Sequence, residues 1–163
     1  ATAEGETALL QAVALAIGSA RKVVDLFAGS GTFSIPLAER AEVHAVEGEA
    51  KMIAALEKGA RMAEGLKRLT AETRDLFRRP LEPDEFKGVE AVVIDPPRAG
   101  AEAQVAVLAK TAVPVIAYVS CNPATFARDA RVLVEAGYQL DWVQVVDQFR
   151  WSSHVELAAR FSR

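Results

Sequence analysis

Cysteine is almost absent from this chain, because Cys121 is the only one among 163 residues. A single thiol excludes an internal disulfide framework, and no CxxC pair or Cys/His cluster predicts a metal site. We therefore expect a protein of a reducing, cytoplasmic compartment without a bound metal. The one thiol stands directly between an apolar run and Asn-Pro, in the segment YVSCNPATFARD of residues 118–129.

The chain also lacks an excess of basic residues and a long apolar run. Its formal net charge of −3 carries no whole-chain signature of nucleic-acid binding. This balance does not exclude a nucleic-acid substrate that another domain helps to hold. No apolar run approaches the roughly 18 to 20 residues of a membrane span, so we expect no membrane association.

The chain is rich in apolar residues, and their pattern alternates between two periods. A hydrophobic content of 51% in 163 residues is sufficient for one core, which predicts one domain over residues 1–163. Helical periodicity alternates with apolar, strand-like runs. The predicted helices are 7–17, 32–40, 49–66, 100–110 and 123–137, and the predicted strands are 22–28, 42–48, 68–72, 89–97, 113–120, 138–149 and 152–161. Residues 74–88 are predicted to be a surface connection.

This alternation predicts an α/β fold with a mostly parallel sheet and helices on both faces. The last two strands break the alternation and should form a hairpin that adds one antiparallel strand. Ligands of such sheets bind outside the carboxyl ends of the strands. Polar or reactive groups stand at five of those ends, in the segment 25–31, at Glu47, at Asp75, and in the segments 95–98 and 120–123.

The first of these segments indicates a cofactor site. In DLFAGSGTF (25–33), Gly29 and Gly31 permit a tight turn and a close approach of ligand to backbone, while Ser34 replaces the third glycine of the dinucleotide fingerprint. Glu47, at the end of the second strand, is placed to accept both hydroxyls of a ribose. A ribose-binding acid without a complete pyrophosphate cradle favours an adenosine ligand that carries no phosphates.

This pattern resembles motif I and the acidic second motif of class I S-adenosylmethionine-dependent methyltransferases, whose fold is Rossmann-like. The resemblance implies S-adenosyl-L-methionine as the cofactor. It also implies that Phe27 and Thr32 line the turn, that Glu47 binds the ribose and that Asp75 contacts the adenine.

The remaining segments indicate the reaction. Arg98, after Asp95-Pro-Pro, suits an enolate-like oxygen or a phosphate better than an amine. Carbon 5 of a pyrimidine becomes nucleophilic only when a thiolate adds to carbon 6, and a base must later remove the carbon-5 proton. Cys121 is the candidate thiolate, and Glu156, early in the last strand, is the candidate base. Arg98 or the following helix N-terminus could favour the thiolate.

Four segments in this order, DLFAGSGTF, DPPRAG, SCNPATFARD and HVELAARF, resemble the catalytic domain of the RNA 5-methyluridine (uracil-C5) methyltransferase family over essentially the whole chain. The resemblance implies Cys121 as nucleophile and Glu156 as base. Its cofactor positions map to Phe27, Thr32, Glu47, Asp75 and Asp95, together with the turn glycines Gly29 and Gly31. Asn122, beside the thiol, is expected to contact the substrate with Arg98.

The resemblance also indicates partners. We expect a monomer that acts on RNA, and the wording NPATFARD leans towards the 23S ribosomal-RNA enzymes rather than the transfer-RNA enzymes. Family members usually carry an N-terminal oligonucleotide-binding barrel, and the chain begins at Ala1 within a helix-forming segment, so we expect a piece of a longer protein. Arg150 and Trp151 either stack on and hold a flipped uridine or simply cover the core.

Three hypotheses stay open at this point. The first is uracil-C5 methylation of ribosomal RNA, with the transfer-RNA enzyme as a variant of it. The second is methylation of an amine in RNA or protein, with Cys121 as a structural residue. The third is a nucleic-acid-binding module without catalytic activity, which the acidic charge balance disfavours.

Overall fold

The structure is a computed structural model, and it describes residues 2–147 and 155–163. The described residues form seven strands and five α-helices. The strands are β1 Lys22–Leu26, β2 Glu42–Glu47, β3 Leu69–Thr73, β4 Ala91–Ile94, β5 Val115–Ser120, β6 Gln139–Asp147 and β7 Val155–Ser162. The helices are α1 Ala3–Ile17, α2 Ser34–Leu37, α3 Ala50–Met62, α4 Glu102–Leu108 and α5 Pro123–Glu135, and a 3₁₀ helix spans Pro83–Phe86.

The strands form one sheet in the order β3-β2-β1-β4-β5-β7-β6. Strands β1 to β5 pair in parallel, whereas β7 pairs antiparallel with both β5 and β6. The predicted α/β fold, with a mostly parallel sheet and an antiparallel C-terminal strand, is thus confirmed. The chain reverses its direction of travel across the sheet between β1 and β4, and open α/β sheets bind ligands at such a switch point.

Helices cover both faces of the sheet, as predicted. Successive residues of β1 show the division, because Val23 packs with α1 and Val24 packs with α4 and α5. Burying one large aliphatic side chain stabilises a fold by about 1.5 to 3 kcal/mol. Side chains at every second position of a strand share a face. This alternation places the carboxylates of Asp25, Asp95 and Glu156 on the α1 side of the sheet.

Several predicted elements are shorter in the structure. The predicted helix 32–40 is reduced to the single turn of α2, whose sequence SIPL carries Pro36, a residue without an N–H to donate. The predicted strand 89–97 is paired only over β4, before Pro96 and Pro97. The predicted connection 74–88 contains the 3₁₀ helix, which begins with a reciprocal capping box between Glu82 and Glu85.

Candidate active site

A cleft of about 460 Å³ opens at the carboxyl ends of β1, β2 and β4, and it brings together four of the predicted cofactor residues. These are Phe27, Glu47, Asp75 and Asp95, and the rest of the wall consists of Gly48, Glu49, Leu76, Phe77, Pro96 and Pro97. The volume lies in the range of small-molecule sites. The cleft occupies the switch point of the sheet, where such folds bind their ligands.

Glu47 is tied to the glycine turn at one edge of this cleft. Its Oε1 accepts a 3.2 Å hydrogen bond from the backbone N–H of Gly29, and its Oε2 accepts one of 2.8 Å from the N–H of Glu49. A carboxylate oxygen has two acceptor positions, so each oxygen keeps one for a ligand hydroxyl. The two bonds therefore orient Glu47 for a vicinal diol such as that of ribose.

The glycine turn itself requires its glycines. Gly29 and Gly31 have φ of +58° and +94°, which side-chain-bearing residues rarely adopt. A Cβ on Gly31 would lie 3.0 Å from the Cγ of Leu56 and 3.1 Å from the Cδ1 of Ile35. Gly31 thus lets the turn pack against α3. Thr32, the next residue, is exposed and does not line the cleft.

An aromatic pair forms another wall. Phe27 has φ of +60°, which for a bulky residue is a strained conformation that concentrates at ligand sites. Its ring lies 5.4 Å from that of Phe77, centroid to centroid, at an interplanar angle of 56°. Phe77 is half exposed and was not among the predicted site residues. An aromatic residue two positions after Asp75 was the available signal.

The loop that carries Asp75 is organised by Arg74. The guanidinium of Arg74 donates to Glu85 Oε1 at 2.9 Å, to the carbonyl of Arg79 at 2.7 Å and to that of Pro80 at 2.8 Å. Its backbone N–H also donates to the carbonyl of Glu47 at 2.9 Å. The hydrogen bond from Arg74 holds the pKa of Glu85 below its usual range, so the pair stays ionised. The loop is therefore anchored beside β2.

Asp75 itself is exposed at the rim of the cleft. Its Oδ1 accepts a 2.9 Å hydrogen bond from the N–H of Phe77, and its Oδ2 lies 3.7 Å from the Nε of Arg78. The first contact closes a local turn that presents the Phe77 ring to the cleft. Asp75 thus shapes the same wall as the aromatic pair.

Three carboxylates, Asp25, Asp95 and Glu156, share the α1 side of the sheet at this edge. Burial raises the pKa of Asp25 to about 7, against the lowering effect of its hydrogen bond from Ser34. Burial, with the nearby charges of Asp25 and Glu156, raises the pKa of Asp95 to about 8. Burial also raises the pKa of Glu156. A cationic ligand bound beside these three carboxyl groups would stabilise their ionised forms.

Asp25 is fully buried and was not among the predicted site residues. Its Oδ2 accepts a 2.5 Å hydrogen bond from the Oγ of Ser34, the residue that replaces the third glycine of the fingerprint. Its Oδ1 has no hydrogen-bond partner within the described part of the chain. The Ser34 contact connects β1 to α2 directly beneath the glycine turn.

We expect the stability of the fold to depend on the protonation of Asp25. Its pKa rises from 3.8 to about 7 on folding, so its contribution is fully present below about pH 4 and is lost as the pH passes about 7. At about 1.4 kcal/mol per pKa unit, the loss is a few kcal/mol. Asp25→Asn should remove this dependence in urea denaturation at pH 5, 6, 7 and 8. The exposed control Asp84→Asn should follow the wild type, and parallel profiles for wild type and Asp25→Asn would contradict the assignment.

Cys121 follows β5 directly and is partly exposed. The β5–β7 register pairs Ser120 with Leu157. Glu156 precedes Leu157 in the antiparallel strand and is therefore level with Cys121, one residue beyond the last pair. The structure thus brings the predicted nucleophile and base together from segments far apart in the chain.

Arg98 and Asn122 hold the backbone of the segment that carries the thiol. Arg98 Nη1 donates to the carbonyl of Cys121 at 3.3 Å, and Asn122 Nδ2 donates to the carbonyl of Arg98 at 2.9 Å. Asn122 also caps α5, with its Oδ1 accepting from the N–H of Ala124 at 3.1 Å. The predicted substrate residues Arg150 and Trp151 lie outside the described residues.

Two other clefts are at least as large, but they hold none of the predicted site residues. One of about 490 Å³ lies between α3 and β3, and one of about 580 Å³ lies at the amino-terminal edge of the sheet. Across residues 2–147 and 155–163, no group of three or more His, Cys, Asp or Glu side chains could hold a metal ion. None of the helices in these ranges is long and apolar enough to cross a membrane.

The sheet order and the cleft at its switch point define the fold of the class I S-adenosylmethionine-dependent methyltransferases. The structure of Pyrococcus abyssi tRNA (uracil-54, C5)-methyltransferase with S-adenosyl-L-homocysteine superposes with a TM-score of 0.83 at 30% identity, covering 96% of this chain and 38% of that one. N-methyltransferase NodS from Bradyrhizobium japonicum, at 16% identity and a TM-score of 0.75, shares the fold.

The sequence pattern of the tRNA (Uracil-5-)-methyltransferase family matches residues 5–163, and the chain belongs to this family. An "uncharacterized RNA methyltransferase" of Mesorhizobium japonicum is 54% identical over 98% of this chain and 39% of its own length. The 23S rRNA (uracil(1939)-C(5))-methyltransferase RlmD of Dichelobacter nodosus is 40% identical over 96% of this chain and 38% of its own length. The chain therefore spans well under half the length of these relatives. The predicted family is confirmed.

Proposed function

We propose that this chain is the catalytic part of a cytoplasmic enzyme that methylates carbon 5 of a uridine in RNA, through a covalent bond between Cys121 and the uracil. The observation that carries the proposal is the β5–β7 register, which brings Glu156 level with Cys121 beside the switch-point cleft. A thiol and a carboxylate at one strand edge are the two groups that methylation of this carbon requires.

The cleft suits S-adenosyl-L-methionine. Glu47 is oriented for the ribose hydroxyls, and the Phe27–Phe77 pair offers an apolar wall for the adenine. Asp95, with its raised pKa, would be stabilised in its ionised form by the positive charge of the ligand. Bound S-adenosylmethionine would supply a sulfonium-activated methyl group, which the target carbon accepts.

The protein residues would act on the uracil in three stages. The Cys121 thiolate forms a bond to carbon 6, and the electron pair of the carbon 5–carbon 6 double bond moves into an enolate that makes carbon 5 nucleophilic. Arg98 stabilises the negative oxygen. After carbon 5 has been methylated, Glu156 takes its proton, the double bond re-forms and the Cys121 sulfur leaves as thiolate.

We propose ribosomal RNA as the substrate rather than transfer RNA. The 40% identical relative is named for 23S rRNA, whereas the 30% identical solved structure is named for tRNA. The catalytic edge of this chain is acidic, with Asp25, Asp95 and Glu156 together, and the net charge is −3. Most of the phosphate contacts would therefore come from other parts of the whole protein.

The test is nucleoside mass spectrometry of RNA treated with the whole natural protein and labelled S-adenosylmethionine. We expect 5-methyluridine in 23S ribosomal RNA, with transfer RNA from the same cells as the matched comparison. Label in transfer RNA alone would overturn the choice of substrate. Label on an exocyclic amine, or on protein, would overturn uracil methylation itself.

We expect Glu47→Gln to weaken binding of S-adenosyl-L-homocysteine by about 10- to 100-fold, because hydrogen bonds to a charged group contribute about 1.5 to 3 kcal/mol. Isothermal titration calorimetry measures this directly. The control is Glu57→Gln, an exposed glutamate on α3 that does not line the cofactor cleft, and it should bind as the wild type does. Equal affinities for Glu47→Gln and wild type would exclude Glu47 from the cofactor site.

A further inference from the structure

Asp129 lies within α5, and its carboxylate is fully buried. Its Oδ2 accepts hydrogen bonds from the hydroxyl of Tyr118 at 2.6 Å and from the N–H of Ala101 at 2.8 Å. Its Oδ1 accepts from the Nε of Arg128 at 3.2 Å and from the Nη2 at 3.1 Å. The carboxylate therefore joins β5, α5 and the loop that follows β4.

That loop is closely seated on α5. Gly100 has φ of +77°, and a Cβ there would lie 2.6 Å from the Nη2 of Arg128 and 2.9 Å from the Oδ2 of Asp129. The same Nη2 donates to the carbonyl of Ala99 at 3.0 Å. A side chain at position 100 would have to displace the Arg128 guanidinium or the Asp129 carboxylate, so the loop packs closely on α5 at Gly100.

A second set of contacts joins the same loop to the N-terminus of α5. The carbonyl of Arg98 accepts from Asn122 Nδ2 and from Thr125 Oγ1, both at 2.9 Å. Arg98 in turn donates to the carbonyl of Cys121. The loop that begins at Asp95 and the segment that carries the thiol are thus connected at two levels of the helix.

We propose that Asp129 is a positioning residue that fixes the Asp95–Gly100 loop relative to Cys121, and so sets the distance between the cofactor side and the nucleophile side of the site. This inference rests on the proposed function, in which the two sides react with one uracil. They lie on different loops, and Asp129 is the buried charge that both the loop and the helix contact. A misplacement of 1 Å between reacting groups can lower a rate by about 100-fold.

The charge of Asp129 is essential to this arrangement. In Asp129→Asn the amide keeps one oxygen for Tyr118 and Ala101, but its NH₂ group faces the Arg128 guanidinium, and two donors cannot bond to each other. Arg128 then loses its buried partner, and its hydrogen bond to the carbonyl of Ala99 is weakened. The shape of the core changes little, because Asn and Asp have nearly the same volume.

The experiment is single-turnover trapping of RNA that carries 5-fluorouridine, in the presence of S-adenosylmethionine, with the whole natural protein. In 5-fluorouridine, carbon 5 carries fluorine in place of the proton that the base must remove. The enzyme is therefore not released, and the covalent complex persists on a denaturing gel. We expect Asp129→Asn to form it about 10- to 100-fold more slowly than wild type. The affinity for S-adenosyl-L-homocysteine should stay within about threefold, because Asp129 does not line the cleft. Gly100→Ala, whose Cβ would press on Arg128 and Asp129 from the side of the loop and leave the Asp129 carboxylate in place, should slow trapping in the same way.

The control on the same helix is Arg131→Ala, whose side chain is exposed and pairs with Glu135 at 2.8 Å. It should trap RNA at the wild-type rate. Trapping by Asp129→Asn or by Gly100→Ala within twofold of wild type, at a temperature where the variant is folded, overturns the inference, since a merely structural role lowers the melting temperature and leaves the rate intact. Absence of trapping by the wild type instead refutes the proposed function.

Discussion

Cys121→Ala should abolish formation of 5-methyluridine, with a loss of at least about 10⁴-fold in rate, as expected when an enzyme loses its nucleophile. Carbon 5 of uracil does not accept a methyl group unless a thiolate has first added to carbon 6. Binding of S-adenosyl-L-homocysteine should be unchanged, because Cys121 does not line the cleft. Mass spectrometry of the RNA nucleosides measures the first effect, and calorimetry measures the second.

The matched control is Val134→Ala, an exposed residue of α5 that should leave methylation at the wild-type level. Cys121→Ser tests whether a hydroxyl can substitute for the thiol, and we expect it to be as inactive as Cys121→Ala because serine is not ionised at neutral pH. If Cys121→Ala still methylates RNA or protein, the thiol is structural and the acceptor is an amine.

Glu156→Gln should stop the reaction one step later. The thiol still adds and carbon 5 is still methylated, but the proton on carbon 5 cannot be removed, so the protein remains attached to the RNA. We expect turnover to fall by about 10²- to 10⁴-fold, the usual contribution of a general base. A methylated RNA–protein complex should appear on denaturing gels with ordinary, unfluorinated RNA.

Glu102→Gln provides the comparison, since Glu102 is an exposed carboxylate at the start of α4 and should leave turnover unchanged. The raised pKa of Glu156 agrees with a base role, because a carboxylate with a higher pKa accepts a proton more readily. Slow turnover by Glu156→Gln without an attached RNA would assign Glu156 to binding. Wild-type turnover would remove it from the mechanism.

Much of the fold could be predicted because its signals are local. Apolar runs that end in Asp95-Pro-Pro or Ser120-Cys-Asn predicted buried parallel strands, and the strand order then places their carboxyl ends together. Element lengths were less predictable. The prediction of a nine-residue helix over 32–40 ignored Pro36, and the structure forms a single turn there.

Contacts between distant residues could not be predicted from the sequence. Phe77 meets Phe27 through a loop that the Arg74–Glu85 pair holds together, and neither contact is visible in the local sequence. Nothing near Asp129 in the sequence indicates Ala101 as its partner, since that contact exists only after α5 packs on the loop. The position of Glu47 at the cleft was predictable, because an acid at the end of an apolar strand is itself a local pattern.

Because β7 is inserted between β5 and β6, strand β6 reaches the sheet only through β7. The pairing of β7 with β5 therefore attaches both strands to the sheet. Before that event, β5 presents an unpaired edge, a template for association with other chains, and Cys121 stands at its end with no acid beside it. The cleft is built at the ends of the first four strands, whereas Cys121 and Glu156 come from β5 and β7, so donor binding and the proposed chemistry depend on different strands. A chain in which the β6–β7 hairpin is detached would bind the methyl donor without transferring its methyl group.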